Sequence, residues 1–139
     1  MSKVAGEARL KKQPLVLLIL IMSLSACQTL SERQQSTMLE DTLRRYEATV
    51  RWGNIQLAQQ FQADQAAEQP LLPPDLRITR YEVVQGPVLI EGQRAVQTVS
   101  IEYVFESTQT VRQLFDQQVW QYDTDAESWA RQNPIPEFR

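Results

Sequence analysis

The sequence predicts an α+β domain, with two N-terminal helices packed on a curved antiparallel sheet of three to four strands. Two features support this prediction. Between residues 38 and 61 the apolar side chains recur at steps of three and four, which is typical of amphipathic helices. After residue 75 the apolar period falls to two, and β-branched and aromatic residues become frequent, which is typical of strands with one buried face.

The first predicted helix begins at Met38. Ser36 or Thr37 is a suitable cap, and Glu40, three residues after Thr37, completes a capping box. The helix is predicted to bury one apolar stripe, because residues three and four apart lie on the same face. This stripe consists of Leu39, Leu43, Tyr46 and Val50.

The second predicted helix runs through Ile55, Leu57, Ala58 and Phe61 and fades in the glutamine- and alanine-rich residues 62–69. Gly53 is a natural terminator for the preceding helix, and Asn54 is a natural N-cap for this one. The prolines within residues 70–75 end the helical part of the chain. Proline donates no backbone hydrogen bond, and it keeps the residue before it out of the helical conformation.

The strands begin after residue 75. Residues 76–85 predict the first strand, and residues 86–93 predict a turn or a short edge segment, since Pro87 is tolerated only at the start or the edge of a strand. Residues 94–106 give the clearest alternation of apolar and polar side chains. We expect one face to carry Val99, Ile101, Tyr103 and Phe105, and the other Thr98, Ser100, Glu102 and Glu106.

Residues 111–123 predict the next strand, but the pattern leaves its buried face open. The even-numbered and the odd-numbered side chains are equally apolar, so either set can face inward. Residues 128–133 predict a final strand before residues 134–138 close the domain. The even set is Leu114, Asp116, Gln118, Trp120 and Tyr122, and the odd set is Val111, Phe115 and Val119.

The N-terminal segment has the pattern of an export signal. Four basic residues precede an apolar run at residues 15–24, which is too short to span the roughly 30 Å of a bilayer core as a helix. The sequence Leu24-Ser25-Ala26-Cys27 fits the lipobox at all four positions, and here the chain resembles a bacterial lipoprotein precursor. A plain secretory signal and an uncleaved anchor are the alternatives. The four basic residues are Lys3, Arg9, Lys11 and Lys12.

The resemblance implies that residues 1–26 are removed, and that Cys27 becomes the mature N-terminus, diacylated on its sulfur and usually acylated on its amine. In that family an aspartate after the cysteine retains the product at the inner membrane. Gln28 stands there in this chain, which implies a Gram-negative outer-membrane protein with its domain in the periplasm. Residues 27–36 are polar and predict a tether to a single domain at residues 37–139.

Composition limits the partners of the mature chain. From Cys27 onward ten arginines stand against sixteen aspartates and glutamates, and lysine is absent, so the formal charge is −6. This balance disfavours nucleic-acid binding and electrostatic membrane binding, which both need a basic excess. We therefore expect membrane contact through the lipid on Cys27 alone. Because the chain has one cysteine, no intrachain disulfide can form.

The order of elements resembles the nuclear transport factor 2-like, or cystatin-like, superfamily. The helix junction at residues 51–61 is similar to the aromatic-Gly-Asp/Asn step common there. Residues 119–123, with Trp129 and residues 134–138, are similar to its closing hairpin. The resemblance implies a sheet curled around a cone-shaped cavity. Some members are isomerases or dehydratases, and many others only bind or dimerise through an open sheet face.

Few residues in the chain are suited to catalysis. The chain has no histidine, which removes the usual catalytic base and most transition-metal sites, so we expect no metal and no cofactor. Asp116 is the strongest candidate for a general base, with Tyr103 as the donor to a developing enolate. A solvated Asp116, or one paired with Arg80 or Arg112, is the alternative without catalysis.

We therefore expect a non-enzymatic, lipid-anchored envelope protein whose domain binds a partner protein or a small apolar ligand. A homodimer would form through the sheet face. The alternative function is a cone-pocket isomerase or dehydratase with Asp116 as its carboxylate base. The aromatic side chains are candidates for a ligand cage, although aromatic residues in this number are more often core. They are Trp52, Trp120, Trp129, Tyr46, Tyr81 and Tyr103.

Overall fold

The computed structural model describes residues 13–52, 54–63, 71–91 and 93–139, with their side chains from residue 31 onward. The chain divides into two compact units, Met1–Ser36 and Thr37–Arg139, and the core and the buried side-chain contacts described below lie in the second. The elements of the chain, in order, are α1 (Gln13–Trp52), a 3-10 helix (Ile55–Phe61), β1 (Leu76–Ile90), β2 (Arg94–Phe105), β3 (Arg112–Asp123) and β4 (Ser128–Arg131).

The four strands form one antiparallel sheet in the order β1-β2-β3-β4. Each strand pairs with the strand before it in the chain, so the sheet is a meander with β1 and β4 at its edges. The helical side chains pack on one side of the sheet, here called the inner face, where Tyr46 of α1 meets Trp120 of β3 edge to face at 5.3 Å. The predicted α+β class and antiparallel sheet are confirmed.

The apolar stripe of α1 is buried as predicted. Leu39, Leu43, Tyr46 and Val50 all belong to the hydrophobic core. The predicted start of this helix at Met38 is wrong, because α1 already includes residues 27–36. That segment contains neither glycine nor proline and is rich in good helix formers, so nothing in it interrupts the helix. Its role as a tether stays a prediction.

The second predicted helix is instead a 3-10 helix that ends at Phe61, and residues 64–69 of the prediction lie outside the described residues. Asn54 caps it as expected, since its Oδ1 accepts a hydrogen bond from the backbone N of Gln56 at 3.0 Å. The core-facing residues Ile55, Ala58 and Phe61 follow one another at steps of three. A helix with three residues per turn places such residues on one side, which explains the change from the predicted helix type.

Strand β1 is longer than predicted. Residues 86–90, expected in a turn or a short edge segment, continue β1, and Glu91 and Gln93 lie in the turn region that follows. The register passes from Gln85 opposite Thr98 to Val88 opposite Val96, so two residues of β1 oppose one residue of β2. This bulge and the edge position of β1 accommodate Pro87, which has no N–H to donate.

The inner faces of β2 and β3 follow one consistent alternation. On β2, Val99, Ile101 and Tyr103 are buried as predicted, and Phe105 is half-buried against the core. On β3 the structure resolves the open choice in favour of the even set. Phe115, from the odd set, is 66% exposed on the opposite face.

The C-terminal residues return across the inner face after β4. The side chain of Asn133 continues the hydrogen bonding along β3 beyond the end of β4. Its Oδ1 accepts a hydrogen bond from Val119 N at 2.9 Å, and its Nδ2 donates one to the Gln117 carbonyl at 2.7 Å. Phe138 packs edge to face on Tyr103 with ring centroids 5.0 Å apart. The Tyr103 hydroxyl donates to the Arg139 carbonyl at 2.8 Å. The C-terminal arm is therefore part of the core.

Phe138→Ala is expected to lower the free energy of unfolding by about 3 kcal/mol, because it removes a buried ring from the core. Glu137→Ala is the matched control. Its carboxylate pairs only with exposed Arg139, so we expect a loss below about 1 kcal/mol. Urea unfolding of a soluble form that lacks residues 1–27 measures both. Equal losses in the two variants would show that the arm is not packed as described.

Candidate functional site

The inner face of the sheet carries a group of polar and aromatic side chains, here called the buried polar cluster. None of its members is more than 6% exposed, and every helix and strand of the second unit except the 3-10 helix contributes to it. The members are Tyr46 of α1, Tyr81 of β1, Gln97 of β2, Asp116, Gln118 and Trp120 of β3, and Arg131 of β4.

Arg131 is the centre of the cluster and uses all five of its N–H donors. Its Nη2 donates to Asp116 Oδ1 at 2.7 Å, and its Nη1 donates to Asp116 Oδ2 at 2.9 Å. The same Nη1 donates to the Tyr46 hydroxyl at 2.7 Å. The remaining donors reach the carbonyls of Asn133 and Pro134. The guanidinium therefore leaves no donor for an outside ligand.

Gln118 connects this ion pair to the rest of the cluster. Its Nε2 donates to Asp116 Oδ2 at 3.0 Å and to the Tyr81 hydroxyl at 2.9 Å. Its Oε1 accepts from Gln97 Nε2 at 2.9 Å and from Trp120 Nε1 at 3.4 Å. When every polar group of a buried network has a hydrogen-bond partner, the network holds the helix and the strands in one arrangement. A buried network with unpaired groups would destabilise the fold.

The strand period places these side chains. Asp116, Gln118 and Trp120 are two residues apart on β3, so they share the inner face. Arg131 lies directly opposite Trp120 in the β3–β4 ladder, and Asp116 lies further along the same face of β3. The guanidinium thus reaches along the inner face to the carboxylate.

Burial and charge shift the pKa values of the cluster. Burial raises the pKa of the Tyr46 hydroxyl to about 12, against the opposing effect of the Arg131 charge. Burial also raises the pKa of Tyr81, against the opposing hydrogen bond from Gln118. Burial alone would lower the pKa of Arg131, but the hydrogen bonds to Asp116 and the nearby groups raise it above its ordinary value. Arg131 is therefore a permanent cation, and the two tyrosines are neutral at neutral pH.

The free energy of unfolding is expected to fall between about pH 10 and pH 12. Since the pKa of Tyr46 is raised by folding, its contribution is complete below the unfolded value near 10 and is lost as the pH rises through about 12. Two pKa units correspond to about 2–3 kcal/mol. Urea unfolding at each pH measures this fall. Tyr46→Phe lacks the titrating group, and its stability should fall less over this range; an unchanged fall would contradict the assignment.

The structure does not assemble the predicted catalytic pair. Asp116 is buried as that hypothesis required, but its partner is Arg131, and not Arg80 or Arg112. Arg80 pairs instead with Glu82 and Glu102. Asp116 lies opposite Val99, four residues along β2 from Tyr103, which is a separation of about 13 Å.

Both oxygens of the Asp116 carboxylate accept hydrogen bonds from within the cluster. A general base must instead be within hydrogen-bond reach of a substrate proton. The structure thus gives Asp116 a different role from the predicted one, as the acceptor that fixes Arg131. Of the candidate aromatic cage, five members are buried in the core, while Trp52 is 77% exposed.

Sequence reasoning missed Arg131 as the partner of Asp116. The signal was present in residues 128–133, which were predicted as a strand. In a strand, a residue two positions after a buried tryptophan lies on the same face, and Arg131 follows Trp129 by two. A buried arginine requires an acidic partner, and Asp116 was the one carboxylate within the even set of β3.

The described residues of the second unit line several grooves on its surface. A groove of about 680 Å³ lies beside the β3–β4 turn and includes Arg45, Phe61 and Trp129. A second, of about 730 Å³, lies where α1 ends and β1 begins. A third, of about 260 Å³, lies between α1 and the middle of β1 and is the most apolar. Neither Asp116 nor Tyr103 lines any of the three.

The predicted lipid-attachment residue, Cys27, lies within α1, and its side chain is outside the described residues. Among the helical residues that the structure describes, no segment is long and apolar enough to cross a membrane. Among all the residues that the structure describes, no group of three or more acidic, cysteine or histidine side chains is placed to bind a metal ion.

Compared with protein-family models, curated proteins and solved structures, the chain gave no match. The likeness to lipoprotein precursors rests on residues 24–27 and their leader, and the likeness to the nuclear transport factor 2-like superfamily rests on element order. Both stay predictions.

Proposed function

We propose that this chain is a lipid-anchored protein of the bacterial cell envelope whose domain serves in binding and not in catalysis. The observation that carries the proposal is the lipobox Leu24-Ser25-Ala26-Cys27 behind a basic and apolar leader. Acylation on Cys27 would hold the mature chain at the membrane, because one acyl chain anchors marginally and two anchor stably. Gln28 after the cysteine favours the outer membrane, with the domain in the periplasm.

The buried polar cluster has a structural role. The one buried ion pair of the described residues, Asp116 with Arg131, has its hydrogen-bonding groups occupied by Tyr46, Gln118 and backbone carbonyls. Such a cluster stabilises one arrangement of helix and sheet and offers no free acid or base. The isomerase or dehydratase alternative gains no support from this geometry.

Two surfaces outside the cluster are candidates for binding, a groove and one face of the sheet. The groove between α1 and β1 is small and mainly apolar, which suits a small apolar ligand. The face of the sheet opposite α1 carries exposed Phe115, which suits a partner protein or a second copy of the chain. These surfaces, and not the centre of the sheet, are where we place binding.

Salt and detergent washes of native membranes test the anchor. At 1 M salt the Debye length is about 3 Å, so contacts that depend on charge are screened. Since the mature chain carries a formal charge of −6, we expect it to remain with the membranes in salt and to leave them in detergent. Release by salt alone would contradict a lipid anchor and would indicate attachment through charged groups.

A further inference from the structure

The second half of β1 is an apolar edge that the described residues of the domain leave about half-exposed. Residues 83–90, here called the β1 arm, contain no charged side chain. Five of the eight are large apolar residues, each between 42% and 58% exposed. Single exposed apolar residues are ordinary, but several on one edge strand, here in two stretches on either side of residues 85–87, mark an interaction surface. The five residues are Val83, Val84, Val88, Leu89 and Ile90.

The β1 arm exposes apolar side chains on both sides of the sheet. Leu89 pairs with Ala95, which is buried on the inner face, whereas Ile90 pairs with Arg94 on the opposite face. A partner packed on one face of the sheet would therefore cover only half of the exposed groups. An apolar medium that surrounds the edge of the strand would cover both.

The β1 arm lies toward the end of the second unit at which Thr37 begins it. Val50, near the end of α1, lines the same groove as Leu76 at the start of β1. Glu40, near the start of the second unit, lines the same groove as Pro87 in the arm. β1 and this part of α1 thus run in opposite directions, and the arm points back past Thr37.

The reach of the two elements places the arm beyond the start of the unit. Tyr81 of β1 and Glu47 of α1 line the same groove, so the two elements can be compared from there. From Tyr81 to Ile90 the strand advances about 30 Å. From Glu47 back to Thr37 the helix advances only about 15 Å. Ten residues separate Cys27 from Thr37, and they cannot span more than about 36 Å. A lipid on Cys27 would therefore keep the membrane surface within range of the arm.

We propose that the β1 arm is a second membrane contact, which lies along the lipid surface to which Cys27 is anchored. This inference rests on the proposed lipid anchor. The apolar side chains on both sides of the edge enter the boundary between headgroups and acyl chains, at a depth of about 5–10 Å. Charged residues flank the arm, with Arg80 and Glu82 before it and Glu91 and Arg94 after it, and they stay among the headgroups.

The occupant is a lipid surface because the arm offers apolar area without charge. The mature chain has no lysine and a net negative charge, so electrostatic attraction does not hold it to a membrane. Headgroups and interfacial water satisfy the free backbone groups at the edge of β1. Pro87 in the middle of the arm removes one donor and disfavours pairing with a further strand.

Thiol labelling of the lipidated mature protein tests the contact. In that form the Cys27 sulfur is in a thioether, so Leu89→Cys provides the one free thiol for an environment-sensitive fluorophore. Thr108→Cys, in the turn between β2 and β3 at the opposite end of β2, is the matched control. Both sites are exposed, so neither substitution empties the core. The labelled proteins are added to vesicles of phosphatidylethanolamine and phosphatidylglycerol that carry nitroxide-labelled lipids.

We expect the probe at residue 89 to shift to shorter wavelength and to be quenched severalfold more strongly than the probe at residue 108. Equal, weak quenching at both positions would overturn the proposal and place the arm in water. A wavelength shift without nitroxide quenching, or one that disappears on dilution to single copies per vesicle, would overturn it in favour of a protein partner or a second copy. Labelling of the unsubstituted protein at Cys27 would show that the anchor itself is absent, which overturns the proposed function as well.

Discussion

Arg131→Ala is expected to lower the free energy of unfolding by about 3–5 kcal/mol, which corresponds to a fall in Tm of roughly 12–20 °C. The substitution leaves the Asp116 carboxylate, at 4% exposure, without its charged partner. Removing one member of a buried ion pair lowers the free energy of unfolding by more than the intact pair adds to it. The remaining charge is still shielded from water but no longer has an oppositely charged partner. Thermal and urea unfolding of the form without residues 1–27 measure the loss.

Arg80→Ala is the matched control, because Arg80 forms ion pairs with Glu82 and Glu102 at the surface, where it is 58% exposed. We expect a loss below about 1 kcal/mol. A double variant, Asp116→Leu with Arg131→Met, removes both charges and should be more stable than Arg131→Ala alone. If Arg131→Ala were no more harmful than Arg80→Ala, the buried polar cluster would not hold the sheet to α1.

Cys27→Ser is expected to abolish lipid attachment and to leave residues 1–26 uncleaved. Serine offers no thiol for the diacylglyceryl group, and processing in lipoprotein precursors follows acylation. The variant should therefore incorporate no labelled fatty acid and migrate as the larger precursor in electrophoresis. Ser25→Ala is the control, since it keeps a small residue in the lipobox and should be processed normally. Incorporation of fatty acid into Cys27→Ser would contradict the assignment of the attachment site.

The sequence predicted the fold correctly for those elements that bury one face and have a regular spacing of apolar residues. The stripe of Leu39, Leu43 and Tyr46 and the alternation through Val99 and Ile101 both lie in the core as predicted. The helix type at residues 55–61 was missed, because Ile55, Ala58 and Phe61, at steps of three, fit either type of helix. The extent of β1 was missed because a bulge at Pro87 hides the strand period.

The candidate site could be predicted in part only. Asp116 was recognised as the carboxylate of greatest interest, and its burial on the even face of β3 is a finding of the structure. Which of the two equally apolar faces of β3 is buried depends on the elements that pack against the strand. The sequence of the strand alone does not identify those elements. Arg131 is distant in the chain from Tyr46, and their contact depends on how α1 lies on the sheet.

Native mass spectrometry of the protein extracted gently from its own membrane tests the central claim most directly. A lipid-anchored binding protein predicts a mass for residues 27–139 plus a diacylglyceryl group and an acyl chain, together with a retained partner or small ligand. A mass for the unprocessed precursor, or for a mature chain without lipid, would contradict the claim.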